Sequence, residues 1–380
     1  MKNKQLSVLG ACAILLALSA FSWASVVPLN DALKRAADWL VAEQDTDGDW
    51  VPPDEQGFIG EPTVGLIAAF GIIGDAAYKT AAETAAEKIL LDAGYGTPAA
   101  PNPFDAPTFG TEAYALARLG EISTSRDWTG IAKELFDQIT LGGNTYANTA
   151  EFADGIIADA ISSPHTDLSE AVYSLARFAV ASDLSGGADT SVWVDKLKSN
   201  FASVTSTENY QTHALALTVW ALGTIGPYPT DTVGGTGPFM NNTFAELPTE
   251  LVNLQSVDGG FAALFDGTFP GETEPTALGV LGLKAARGQN SAAYPFDNQI
   301  GIGELALAAA VGTGNESGYV FEMLDGTGGG PQAFLAGNVA EAIPLPASVW
   351  MGLSLLAVLG AAKTIRVGRK PLEEKCAALD

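Results

Sequence analysis

Four glutamates, Glu61, Glu112, Glu170 and Glu274, each stand where an apolar segment of helical period begins, and Gln211 and His213 occupy that place in another such segment. If the segments lie side by side, several carboxylates face one opening. Paired carboxylates perform general acid/base work on glycosidic bonds, one donating a proton and the other activating water or attacking directly. The plainer alternative is that an acid in a helix's first turn complements the helix dipole and caps free N–H groups, and the sequence favours it. A second acidic group, Asp45, Asp47 and Asp49 with Asp54 and Glu55, offers hard oxygen ligands of the kind Ca²⁺ takes. Its spacing departs from the EF-hand loop, because Gly48 precedes the third aspartate and the twelfth position is Gln56. A solvated acidic turn is the expectation there. The only histidines are His165 and His213, and the only cysteines are Cys12 and Cys376, so a histidine- or thiolate-based metal centre is not expected.

Charge narrows the partners. Between Ser25 and Glu341 stand 12 basic against 41 acidic residues, a net of −29, in a chain of 380 residues with 47% hydrophobic content. Such a region can build a core, and it repels nucleic acid and anionic lipid, which need a positive patch to displace counterions.

The elements that would position the glutamates are read from internal repeats. Leu40 to Trp50 and Leu251 to Phe261 share the pattern Leu-x3-Gln-x2-Asp-Gly-x-aromatic, carried by Gln44, Asp47, Gly48 and Trp50 in the first copy and by Gln255, Asp258, Gly259 and Phe261 in the second. Each copy is followed by Glu-Pro-Thr, at Glu61-Pro62-Thr63 and Glu274-Pro275-Thr276, and then by an apolar helical stretch. Weaker echoes of the second helix start near Glu112, Glu170 and Gln211. The unit is therefore an outer helix, a tight Asp-Gly turn in which glycine supplies a positive φ, and an inner helix rich in Ala and Leu. Trp39, Trp50, Trp128, Trp193, Trp220 and Phe261 fall at helical spacing and are expected in the core.

This unit resembles the QW-type repeat of squalene-hopene cyclases and of protein prenyltransferase β-subunits. The resemblance implies an all-α fold, an α/α toroid of about five or six helical hairpins over residues 25–312, with the inner helices around a central cavity. It also implies chemistry that the sequence does not carry. An alkene-protonating cyclase needs an Asp-x-Asp-Asp acid motif, and none occurs. A prenyltransferase needs zinc held by Asp, Cys and His, and no cysteine lies in the toroid segment.

The chain ends read as addresses. Residues 1–24 have Lys2 and Lys4, an apolar run from Leu6 to Phe21 and small residues before Ser25, the pattern of a secretory signal peptide. Residues 313–342 read as a Gly-rich spacer. Residues 343–370 combine Pro344, Leu345, Pro346 and Ala347, an uncharged stretch to Ala362 and a cluster of Lys363, Arg366, Arg369 and Lys370. A helix over that stretch would serve as a transmembrane anchor with its basic side cytoplasmic, leaving 371–380 as a short cytoplasmic tail. The order of these parts resembles the PEP-CTERM sorting signal in its Ile-Pro-Leu-Pro-Ala variant. That resemblance implies an exosortase-type peptidase as partner, export across the inner membrane of a Gram-negative-type bacterium, a membrane-anchored intermediate and delivery to the cell surface.

The sequence-based expectation is thus an exported, surface- or envelope-associated toroid with a binding or matrix role rather than catalysis, and with no cofactor unless Ca²⁺ binds the acidic turn. A glycan or an apolar ligand is the expected partner class. The alternatives are a secreted carbohydrate-active hydrolase or lyase using the cavity carboxylates, and an isoprenoid-binding protein.

Overall fold

Leu29, Ala32, Leu33, Ala36, Ala37 and Leu40 recur on one face of the first helix, α1 (29–43), and all are buried, while Asp31, Lys34 and Asp38 face outward. That one-sided pattern marks an outer-layer helix. Helices α7 (Leu168–Leu184) and α9 (Gln211–Ile225) show the contrast: nearly every residue from Ser169 to Ser182 and from Gln211 to Leu222 is buried, so these helices are covered on all sides. The two patterns sort the chain into two layers.

The structure is a computed structural model that describes residues 29–50, 59–92, 106–137, 140–141, 144–162, 167–187, 189–205, 208, 210–264, 272–311 and 330–343. The expected signal peptide (1–24) and the expected membrane segment (343–370, apart from Ile343) lie outside these residues, as does His165. Among the described residues no helix is long and apolar enough to cross a membrane.

The remaining helices are α2 (Gly60–Ile73), α3 (Ala76–Asp92), α4 (Ala106–Leu119), α5 (Trp128–Asp137), α6 (Thr149–Ser162), α8 (Thr190–Phe201), α10 (Leu247–Asn253), α11 (Thr273–Gln289), α12 (Asp297–Ala310) and α13 (Gly330–Ala342). A two-residue hairpin pairs β1 (Thr140–Leu141) with β2 (Asn144–Thr145). Neighbour contacts run from α2 to α4, then to α7, α9, α11, α13 and back to α2. This is a closed cycle of inner helices and a toroid-like, mainly helical fold. One outer helix separates successive inner ones, except between α4 and α7, where α5 and α6 both intervene. The inner helices run the same way, with the start of α2 (Gly60) against Thr111 of α4 and Gly110 of α4 against Ser174 of α7, and the starts of α2, α7, α9 and α11 gather at one mouth.

Closure corrects one expectation. Residues 330–342, read from the sequence as part of a Gly-rich spacer, form α13, which packs against α2 and α11. The glycines permit the contact: a Cβ on Gly337 would stand 2.2 Å from the Glu61 carbonyl group, and one on Gly65 would stand 2.7 Å from the Gly337 Cα. Small residues on both partners let the two backbones approach more closely than ordinary side chains allow.

The two repeat copies fold alike. Gly48 and Gly259 have φ of +100° and +92°. Gln44 Nε2 donates to the carbonyls of Gly48 (3.1 Å) and Ala81 (3.0 Å), and Gln255 Nε2 donates to those of Gly259 (3.0 Å) and Gln299 (2.9 Å). Ala81 belongs to α3 and Gln299 to α12, so each glutamine ties its own turn to the outer helix of the next hairpin. Asp258 accepts from the Gly260 N–H within its turn. Trp50 adds an indole N–H bond of 2.8 Å to the Leu40 carbonyl, which buried Phe261 cannot make. Trp128, Trp193 and Trp220 are also buried, and Trp193 stacks on Phe178 of α7 at 4.6 Å, pinning α8 to the inner layer.

Candidate functional site

The first turn of α2 carries Glu61, and the local fold turns it inward. Its cap residue Ile59 offers no side-chain bond, and Glu61 is 2% exposed. Glu61 Oε1 accepts a 2.9 Å bond from the Tyr173 hydroxyl on α7, which is two places around the ring from α2. Burial pushes the Glu61 carboxyl above its ordinary value, while the Thr111 hydroxyl, the Arg177 charge and the Tyr173 bond act against that rise. Glu61 Oε2 and Thr111 Oγ1 nonetheless lack a hydrogen-bond partner of good geometry. The carboxyl meets the free N–H of its own residue in the first turn, as a capping acid does, and also reaches across to α7.

The other sequence-selected residues gather nearby. On α9, His213 is 3% exposed, its Nε2 stands 3.3 Å from Glu274 Oε1 on α11, and Tyr210 meets its ring edge-on at 5.2 Å. Glu274 is 24% exposed on its side chain and Tyr210 is 37% exposed, so these two form the rim and His213 and Glu61 lie deeper. Burial, then the charges of Glu170 and Glu274, raise the Tyr210 hydroxyl. Burial, then Glu61, raise that of Tyr173 well above its usual value, and Glu274 also reaches it. Glu274 and His213 thus stand together at the mouth, with Glu61 deeper and the Glu170 charge acting on Tyr210. Glu112 does not open its helix: α4 begins at Ala106, with Pro107 in its first turn where no N–H is needed, so Glu112 sits in the second turn, where its backbone lies against Gly60 at the start of α2.

The acidic turn is committed to its own fold. Asp45 Oδ1 accepts from the N–H groups of Asp47 (2.8 Å), Gly48 (2.9 Å) and Asp49 (3.2 Å). Partial burial works to raise the Asp45 carboxyl, and these bonds outweigh it and hold it below its ordinary value. Asp49 stands 3.5 Å from the Lys88 ammonium. Among the described residues no group of three His, Cys, Asp or Glu is placed to hold a metal ion.

Below the mouth the lumen is crossed by a pair that the sequence reasoning missed. Arg177, one turn beyond Tyr173 on α7, donates to Glu341 on α13 through both terminal nitrogens, at 2.9 and 2.8 Å. In the cycle of inner helices α7 and α13 are opposite members, so this bidentate bond spans the ring. Both side chains are buried, at 0% and 4% exposure. The guanidinium carbon lies 4.9 Å from the Tyr114 ring centre and 4.7 Å from that of Trp220, adding α4 and α9 to the same junction. Desolvation works to lower the Arg177 pKa, and Glu341 overcomes it, so the guanidinium stays charged. Burial pushes the Tyr114 hydroxyl up to about 12.

No family model matches the chain, and no curated protein matches it. A solved structure does. The chain is similar to a type II terpene cyclase from Scytonema, solved in complex with geranylgeranyl dihydroxybenzoate, at 15% identity and a TM-score of 0.47, over 84% of this chain and 98% of that one.

One signal could have exposed Arg177 in advance. It is the lone charge in the run Leu175-Ala176-Arg177-Phe178-Ala179-Val180, and a charge inside an all-round apolar helix needs a buried partner. Lys284 on α11 follows the same logic. It lies 2.5 Å from Glu304 and donates to the Ala342 and Ile343 carbonyls at the end of α13. Burial drives this second pair toward neutrality, lowering Lys284 and raising Glu304.

Proposed function

We propose that the protein is an exported, envelope- or surface-associated toroid that binds a ligand at the mouth formed by the first turns of its inner helices, and that it does not turn over terpenoids. The observation that carries this reading is the Arg177–Glu341 bond between opposite inner helices. A toroid that folds a long apolar chain inside itself needs an open, apolar lumen. Here a fully buried ion pair crosses it, and seating hydrocarbon against that pair would strip the hydrogen bonds that make its burial tolerable. The mouth above remains polar, rimmed by Glu274 and Tyr210 with His213 and Glu61 behind them.

Export and sorting belong to the same proposal: removal of residues 1–24, and processing of 343–370 by an exosortase-type peptidase at Pro344-Leu345-Pro346-Ala347. The end of α13 at Ala342 supports it, because a cut at the motif leaves every inner helix in the released product. Mass spectrometry of the mature protein should find its C-terminus within the motif, and an intact segment beyond Pro346 in the surface form refutes the sorting step.

A second reading, a secreted glycan hydrolase or lyase, is favoured by Glu61 alone. A buried carboxyl with a raised pKa beside a tyrosine hydroxyl is equipped as a general acid. The purified protein, screened against glycans and polyprenyl compounds, should bind without forming product. Turnover that Glu61→Gln abolishes would establish the second reading and overturn the first.

A further inference from the structure

Between the mouth and the Arg177–Glu341 bond the inner helices hold buried polar groups whose hydrogen bonds are incomplete. The Thr111 hydroxyl on α4 reaches the Glu61 carboxyl on α2 without good geometry, which leaves Thr111 Oγ1 and Glu61 Oε2 incompletely bonded, and both amide atoms of Asn338 on α13 have no hydrogen-bond partner; Glu61 is 2% exposed and the other two 0%. Asn338 precedes Glu341 by three residues and Thr111 precedes Tyr114 by three, so each shares the lumen face of its helix with a member of the central junction. Helices α13, α2 and α4 are consecutive in the ring, so the three residues stand on one arc. Buried polar groups left unpaired are costly, and a set of them on adjacent helices indicates an occupant.

Donor and acceptor capacities identify the occupant's chemistry. Glu61 Oε2 and Asn338 Oδ1 accept, Thr111 Oγ1 keeps lone pairs to accept while its O–H is turned toward Glu61, and Asn338 Nδ2 donates. The first two turns of the six inner helices contain no lysine or arginine, and the guanidinium beneath is committed to Glu341. Glu274 at the rim adds negative charge along the approach, and the Tyr173 ring, whose hydroxyl holds Glu61, offers a wall beside it. A primary ammonium has three N–H donors and one positive charge, which matches three acceptors of which one is a carboxyl group.

We infer that the lumen above the Arg177–Glu341 bond binds a primary ammonium group, held by Glu61, Asn338 and Thr111. This inference rests on the reading of the mouth as a ligand site and names the ligand's class. The group can come from a polyamine or from an amino sugar, and both present the same head to the same acceptors.

The test is calorimetric titration of the purified protein with putrescine and with glucosamine, beside 1-butanol and glucose as neutral counterparts, while the His213 ring signals are followed by NMR. With only two histidines in the chain, a His165→Asn variant assigns them. At least one amine should bind ten-fold or more tightly than its neutral counterpart and shift His213, and which amine does so identifies the source. Glu61→Gln should weaken that binding at least ten-fold. Thr111→Val, which keeps the shape and removes one acceptor, should weaken it several-fold and covers the case in which the first variant fails to fold. Equal affinity for amine and neutral compound, or amine binding unchanged in both variants, overturns the inference. A neutral glycan or polyprenyl compound that shifts His213 while amines do not sinks the ammonium assignment and leaves the mouth a binding site. If no ligand of any class shifts His213, both readings fall.

Discussion

The outer belt and the lumen of the ring are built on opposite plans. In the belt, Gln44 and Gln255 make the same pair of bonds, to the glycine of their own turn and to a carbonyl of the next outer helix. A Cβ on Gly48 would meet the Thr84 carbonyl oxygen at 2.6 Å, and one on Gly259 would meet that of Ile302 at 2.5 Å. Each clash point lies three residues beyond the carbonyl that the glutamine reaches, so the two copies agree atom for atom. In the lumen no contact is repeated from hairpin to hairpin: Glu61, Tyr114, Arg177, Trp220 and Glu341 each come from a different helix, and the last four meet at one junction. Repetition fixes the spacing of hairpins and leaves the inside of the ring free to differ at every position.

Breaking the lumen should cost most. Arg177→Met leaves the Glu341 carboxylate buried and uncompensated, and urea unfolding should show a loss of about 3–5 kcal/mol. Adding Glu341→Leu should recover most of that loss, because an apolar pair of similar volume removes the stranded charge. No recovery would mean that the pair stabilises the ring beyond satisfying itself.

The belt should answer in duplicate. Gly48→Ala and Gly259→Ala each force a side chain into a left-handed conformation against a neighbouring carbonyl, costing about 1–3 kcal/mol by the usual price of such strain. The informative result is their equality, since unequal losses in thermal unfolding would show that the copies are alike in shape only. Gln44→Ala and Gln255→Ala should each cost about 1 kcal/mol and add in the double variant to within about 0.5 kcal/mol, as independent sites do.

The smallest expected change is a slope. Because Glu61 is raised above 4.5 in the folded state, the folded protein holds this proton more tightly than the unfolded chain does. The stability this group contributes is complete below pH 4.5 and is lost as pH rises through the folded value. Glu61→Gln should therefore flatten the decline of unfolding free energy with pH above that point, whereas Gln255→Ala should leave the curve's shape unaltered.

This division also explains what could be read in advance. Gln44 and Gln255 announce themselves because a repeated task keeps a repeated residue at a repeated spacing. The mouth was legible in part, since Glu61, Glu170 and Glu274 occupy first turns that the helical period locates. Glu112 was misplaced because Ala106 to Gly110 has composition that reads equally as connection or helix. Helix α13 escaped for a similar reason: the glycine that lets it approach α2 gives its segment the composition of a spacer. The Arg177–Glu341 pair could not be matched by spacing at all, since nothing periodic relates residues 164 positions apart.

That separation gives the ring a history as well as a shape. Chains emerge from the ribosome from the N-terminus onward, so Arg177 exists before its partner does, and every helix from α2 to α11 is complete while one side of the cycle is still open. Until Glu341 arrives, the guanidinium stands among aromatic rings with its charge unanswered, and a chain that stops short of α13 keeps that defect. The last helix thus acts as the keystone of an arch: whatever truncates or delays the C-terminal stretch is felt at the centre of the fold rather than at its edge.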